Sequence, residues 1–291
     1  DEGGGEWRYG YGWSVAETEL GRVVTHNGGN GIFSAVFAWL PDRDLFFYIH
    51  GNTSVWAPAQ MEDSLRGALF DPAFELPPAV AAAPGVDPAE TEALEGDYRG
   101  EGGGITLAAD DVRLMATLSG QPVLDAVLGH DPGLRARLEE LNRRAAGVMD
   151  RLRAGREDAL DGLVGEDEDA AARARSMLDA MARPGELRSL ELVGSVANAP
   201  GSRFAGDGPW TTVFLAEYPD RTQAWSVLWR EDGTYRGTAI GPPSDVPAFI
   251  LVPQEDGAYT GVERGPPWRS AGFRFEGECL QVGDVRACRQ P

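Results

Sequence analysis

The sequence predicts an α+β chain, and three observations carry that prediction. Residues 8–52 hold short β-branched and aromatic runs separated by turn residues. Residues 134–152 place Leu134, Leu138, Leu141, Ala145, Met149 and Leu152 at steps of three and four, the period of an amphipathic helix. From Leu187 onward the period changes to strand-like runs closed by turn dipeptides. Helices followed by an antiparallel meander make an α+β unit.

Taken in order, "RYGYGWSV" and "RVVTH" read as two short strands, followed by "IFSAVFAWL" and "LFFYIHG" as a hairpin. Its turn is Pro41-Asp42-Arg43-Asp44, residue types that suit a tight reversal. In "MEDSLRGALF", Met61, Leu65, Ala68 and Leu69 share one helical face, which suits packing on that sheet. This first unit covers 1–75. Residues 76–89 are rich in Pro and Ala without either period and read as a semi-rigid linker. Residues 90–130 supply short strands around Tyr98, Ile105–Leu107 and Val112–Leu118, too little to hold a core alone. They are completed, on one reading, by 256–291.

Residues 131–255 form the third unit. Asp131 and Pro132 give the start signals of the long helix. Leu160, Leu163 and Val164 suggest a short second helix, and Met177, Leu178 and Met181 mark a third that stops at Pro184-Gly185. Four strands follow, in "LRSLELVGSVA", "WTTVFLAEYP", "TQAWSVLWRE" and "TYRGTAIG", with Pro219-Asp220 and Asp232-Gly233 at the later turns. Trp210, Phe214, Tyr218, Trp225, Trp229 and Tyr235 either line a pocket in this unit or make its ordinary core.

Residues 256–291 end in a hairpin that closes on Gly283-Asp284. Counting outward from that turn pairs Val282 with Val285 and Cys279 with Cys288, at a non-hydrogen-bonded position where a cross-strand disulfide is feasible.

Composition narrows the function. With 291 residues the chain exceeds one domain, at roughly 100–200 residues each. A formal charge of −20 disfavours nucleic acid and anionic surfaces. All 26 cationic residues are Arg, so every chemistry that needs a lysine is excluded. No apolar stretch of about eighteen residues interrupts the chain, so no membrane span is expected. Three His and two Cys lack metal-ligand spacing, the acidic run at Glu166–Asp169 lacks the Gly and closing Glu of a calcium loop, and Gly102–Gly104 has no following Lys for phosphate binding. No metal or cofactor is expected. The opening "DEGGGEW" lacks the charged and apolar regions of a signal peptide and reads as the interior of a longer protein.

The segments Tyr9-Gly10-Tyr11-Gly12-Trp13, His26-Asn27-Gly28-Gly29 and Leu40-Pro41-Asp42 through Asn52 stand in order and spacing as in one known family. Over about residues 7–70 the chain resembles the C-terminal portion of serine β-lactamases and penicillin-binding-protein-like hydrolases, in their class C and esterase-type members. The resemblance implies the antiparallel strands and helix of a β-lactamase-like fold. It implies that His26 faces a substrate carboxylate or the tetrahedral intermediate, that Gly28 admits the substrate backbone, and that the N–H of Gly29 is one of two oxyanion donors; Asn27 and Tyr11 become binding residues. The family's nucleophile lies in Ser-x-x-Lys, which a chain without Lys cannot contain. Leu94-Glu95-Gly96-Asp97-Tyr98-Arg99-Gly100 resembles the start of small lipocalin-like modules, and the third unit resembles nuclear-transport-factor-two-like cones, three helices on an antiparallel meander, which often dimerise through the sheet.

Two functions follow. In one, the chain is the C-terminal portion of a serine hydrolase acting on an ester, β-lactam or D-amino-acid peptide bond, inert until the N-terminal remainder of its domain supplies the nucleophile. In the other, it is a noncatalytic binding module for a small ligand, a cell-wall fragment or a partner protein. The hydrolase resemblance implies a periplasmic or secreted location, and with it a bonded Cys279–Cys288 pair.

Overall fold

The computed structural model describes residues 8–18, 20–29, 33–51, 65, 68–70, 80–81, 87–110, 113–165, 168–198, 204, 208–243, 246–264 and 268–290. Two compact units divide the chain, Asp1–Leu76 with Gly201–Arg203 in one, and Pro77–Pro200 with Phe204–Pro291 in the other.

The first unit is a five-stranded antiparallel meander, β1 (Arg8–Gly10), β2 (Trp13–Thr18), β3 (Gly21–Gly29), β4 (Ser34–Leu40) and β5 (Leu45–Gly51). Alternation along the strands gives it two unlike faces. Ala16, Val23, Val36, Ala38 and Leu40 are buried on one, while Trp13, Trp39, Phe46 and Tyr48 stand exposed on the other. The β4–β5 reversal is a turn of 3-10 helix over Pro41–Arg43, closed by Asp44 in the left-handed region. Of the helix expected over 61–70, Leu65 and 68–70 are described and are helical; the rest of it, Asn52 and most of the linker lie outside the described residues.

In the second unit, β6 (Gly96–Gly100), β7 (Gly103–Asp110) and β8 (Arg113–Ser119) follow a short helix α1 (Pro88–Glu92). Three helices come next, α2 (Gln121–Leu128), α3 (Pro132–Arg153) and α4 (Ala170–Ala182). Asp131 caps α3 by accepting from the N–H groups of Gly133 and Leu134, and Asp169 caps α4 through Ala172. Then β9 (Ser189–Ala197), β10 (Trp210–Glu217), β11 (Thr222–Trp229) and β12 (Tyr235–Gly241) form a four-stranded antiparallel sheet. The chain closes with β13 (Ala248–Pro253), β14 (Ala258–Glu263), β15 (Ser270–Glu276), β16 (Cys279–Val282) and β17 (Val285–Arg289).

Those last five strands and β6–β8 make one closed barrel, because β17 pairs with β6 and β13 pairs with β8. Its interior is packed with side chains, among them Tyr98, Ile105, Leu118, Phe249, Phe273 and Leu280, and Val123, Leu124, Val127 and Leu128 of α2 join the same core. Gly261 shows how tight that filling is: a Cβ there would fall 2.4 Å from the Phe273 ring. A second core lies between α3, α4 and one face of the four-stranded sheet.

The expected α+β fold class is therefore corrected. The molecule is mostly β, with a closed eight-stranded barrel and two further sheets, and is neither a helix-and-sheet β-lactamase fold nor that fold followed by a three-helix cone. Part of the reason is that long-range pairing joins β6–β8, too little to hold a core alone, with β13–β17 in one ring. The other part is local: the short helix expected around Leu160–Val164 is a series of turns, with Gly155 before it and Gly162 within it at φ +73° and +71°, backbone no helix continues through.

Cys279 lies opposite Cys288 across the β16–β17 hairpin, and the two are disulfide-bonded with Cα atoms 3.9 Å apart. Among the described residues no helix is long and apolar enough to cross a membrane.

Candidate functional site

The exposed face of the first unit's sheet is assembled by register. Gly10 pairs with Trp13, leaving Tyr11 and Gly12 as a two-residue turn with φ of 54° and 84°. Positive φ at both positions is the type I′ geometry that matches strand twist. Glycine takes it freely, whereas a tyrosine there is an uncommon choice for a bulky side chain, and Tyr11 projects fully exposed. Ser14 pairs with Thr25, which sets Trp13 one step further along beside His26. His26 pairs with Phe37 and Phe37 with Tyr48, so one row across the sheet reads Trp, His, Phe, Tyr.

The rings in that row touch. Trp13 meets His26 edge-on, centroids 6.3 Å apart at 82°, and Trp13 and Phe37 stand 5.1 Å apart. Phe37 continues to Phe46 at 6.1 Å, and Tyr48 stacks on His50 at 5.5 Å. Tyr9 Oη lies 3.4 Å from His26 Nε2, a long contact that steadies the imidazole without burying it. The result is an open groove of about 460 Å³ whose lining includes Tyr11, Trp13, His26, Gly28, Phe37 and Tyr48. Among the described residues no carboxylate or guanidinium lines it. At the far end of the same face Arg22 is engaged by Glu17 at 2.7 Å, and that hydrogen bond raises the guanidinium pKa.

The sequence-derived site residues are placed as follows. His26 and Gly28 share the exposed face two residues apart on β3, and Tyr11 overlooks them from the β1–β2 turn. Asn27 borders the groove, but alternation gives its side chain the opposite face, where it pairs with Val36. Gly29 ends β3 opposite Ser34. Sequence reasoning did not single out Trp13, Phe37 and Tyr48 as site residues. The signal was present in the alternation of the strands, but it becomes legible only once the pairing register is known.

Gly28 merits separate consideration. Its φ lies outside the left-handed region, and a Cβ there would meet nothing within 4 Å among the described residues. Nothing described inside the chain demands glycine at this position.

A second set of chemically capable side chains, Ser195, Asp125 and His130, is buried in the other unit. His130 Nδ1 lies 2.9 Å from Asp125 Oδ1, but the Ser195 hydroxyl is committed to Asn142 Oδ1 at 2.8 Å and Thr212 Oγ1 at 2.6 Å. With Ser195 at 0% exposure no substrate reaches it, so these residues form a structural network rather than a nucleophilic triad. Among the described residues no group of three His, Cys, Asp or Glu side chains is arranged to hold a metal ion.

No protein-family model matches this chain, and no curated protein matches it either.

Proposed function

We propose that residues 8–51 form one wall of an acyl-transfer site, the C-terminal portion of a β-lactamase-related serine hydrolase whose nucleophile comes from sequence outside this chain. The reading rests on motif and site geometry, not on fold class. The observation that carries it is that His26 and Gly28 share one exposed strand face of an aromatic groove, with no reason for glycine at 28 among the described residues. A glycine that no described neighbour requires is accounted for by close approach of something else. Tyr11 adds to this, since a bulky residue held at positive φ and fully exposed serves no core.

In such a site the nucleophile's O–H adds to the acyl carbon and its proton passes through the base to the departing alcohol or amine. Water then releases the acid and restores the hydroxyl. His26 and the N–H of Gly29 act on the charge that develops on the acyl oxygen. The partners implied are the N-terminal remainder of the domain and a small-molecule or peptide-like acyl substrate, to which the described lining of the groove offers aromatic faces and an imidazole. The Cys279–Cys288 bond suits an oxidising compartment, periplasmic or extracellular.

The test is covalent labelling. Residues 1–291 alone should take no fluorophosphonate or β-lactam probe, while a chain extended N-terminally should be labelled stoichiometrically. In the extended protein His26→Ala should lower kcat/KM about 100-fold and leave Tm unchanged. Labelling of 1–291 by itself would show that the nucleophile has been sought in the wrong place.

A further inference from the structure

In the second unit, three polar atoms on the helical face of the four-stranded sheet have no partner among the described residues: the Tyr218 hydroxyl, the Trp225 indole N–H and Gln223 Oε1. Tyr218 and Trp225 are 4% and 0% exposed. The register explains why the three converge. Ala216 pairs with Gln223 and Phe214 with Trp225, and Tyr218 lies two residues beyond Ala216, so alternation puts all three on the face that carries Phe214. That face is packed on α3 and α4, with Leu141, Met177 and Met181 in the same core. Ala216, the smallest side chain of its row, separates Tyr218 from Phe214, and Leu190 flanks it from β9.

Tyr218 and Trp225 act on each other without being bonded. Burial raises the phenol pKa, and the nearby indole N–H opposes that shift, yet the pair does not reach hydrogen-bond geometry. Both groups therefore face one small region. Buried polar groups are nearly always satisfied by protein or by an ordered small molecule.

We propose that Tyr218, Gln223 and Trp225 form a binding site for one small hydroxylic molecule, water being the smallest. The donor and acceptor inventory sets this class. An indole N–H only donates, an amide oxygen only accepts, and a phenol does either. A hydroxyl oxygen accepts from Trp225 and Tyr218 and donates its own proton to Gln223 Oε1, the three bonds typical of a buried water. A carbonyl guest brings no proton for Gln223, and an ammonium brings no acceptor for Trp225. An anion fails on the first count and is repelled by a chain of net charge −20. Gln223 is only half-buried, which gives the guest an exchange path from the β10–β11 end of the sheet. The site lies in the other unit from the acyl-transfer groove and does not depend on that reading.

The experiment uses the full 291-residue chain, isotope-labelled, with the Trp225 indole proton assigned by through-bond correlation. A cross-relaxation peak between that proton and a long-lived water is expected. A saturable shift of the same resonance on adding methanol would equally support the site and would extend it to organic alcohols. Tyr218→Phe, close to isosteric, provides an independent readout. Removing a hydroxyl that holds a guest lowers Tm by about 2–4 °C, whereas removing an orphan leaves Tm unchanged or higher. Absence of both water and methanol contacts at the Trp225 proton would overturn the proposal, as would an unchanged or higher Tm in Tyr218→Phe or a direct bond from the indole proton to the Tyr218 oxygen.

Discussion

The five-stranded sheet of the first unit and the barrel of the second treat their aromatic residues in opposite ways. In the barrel, Tyr98, Phe249, Tyr259, Phe273 and Phe275 point inward and pack ring against ring. Even the polar end of Tyr98 is satisfied there, its hydroxyl donating to the carbonyl of Leu94 at 2.9 Å. In the sheet, Trp13, Trp39, Phe46 and Tyr48 point away from the buried face, exposed by 39% or more. A soluble surface rarely assembles so many large apolar groups without a use for them. The barrel's aromatics therefore serve stability, while those of the sheet serve whatever meets that face.

Mutation can break this contrast. The largest effect belongs to Phe249→Ala, which empties a fully buried position in the barrel and should cost about 3–5 kcal/mol in urea unfolding of the second unit. Next is the Cys279→Ser, Cys288→Ser double variant. The bond spans a sequence separation of only 9, so the loop-entropy term is small and a loss of ~2 kcal/mol is expected under non-reducing conditions. The smallest is Tyr48→Ala, whose side chain is 59% exposed and whose loss should change stability by less than about 0.5 kcal/mol. A cost of several kcal/mol at Tyr48, or none at Phe249, would mean the two regions have been assigned each other's roles.

Local signals in the sequence carried far in some places and stopped in others. The turn at Gly283-Asp284 set the register of its hairpin, and the Cys279–Cys288 bond is found where counting from that turn places it. The steps of three and four in 134–152 became α3, with Asp131 as its cap. The sequence offered completion of 90–130 by 256–291 as one reading, but not the register of the closure, because Ala248 meets Thr117 and Cys288 meets Arg99 across long stretches of sequence, and nothing near either residue encodes the partner. Of the site, His26 and its glycines were legible as a cluster. The aromatic row beside them was not, since it exists only where β2, β3, β4 and β5 lie in register.

The connection between β8 and β13 can be read as a single hairpin whose loop has grown very large. Ser119 ends β8 and Ala248 begins β13, the two strands are antiparallel neighbours in the ring, and Leu118 N–H donates to the Pro247 carbonyl at 3.0 Å, as at the mouth of any hairpin. Everything from 120 to 247, the helices and the four-stranded sheet included, occupies the place of a turn. Loop-closure entropy grows only logarithmically with length, so the ring tolerates such a passenger. This loop is nonetheless anchored where it leaves the ring: Gln121 Oε1 accepts from Asn142 Nδ2 at 2.7 Å and from the Ser195 N–H at 2.8 Å, while its Nε2 donates to Asp125. The residue two places past the end of β8 thus joins α3 and β9 to the start of α2, and because Val123, Leu124, Val127 and Leu128 of that helix pack in the barrel's core, the inserted segment is fastened to the ring through α2.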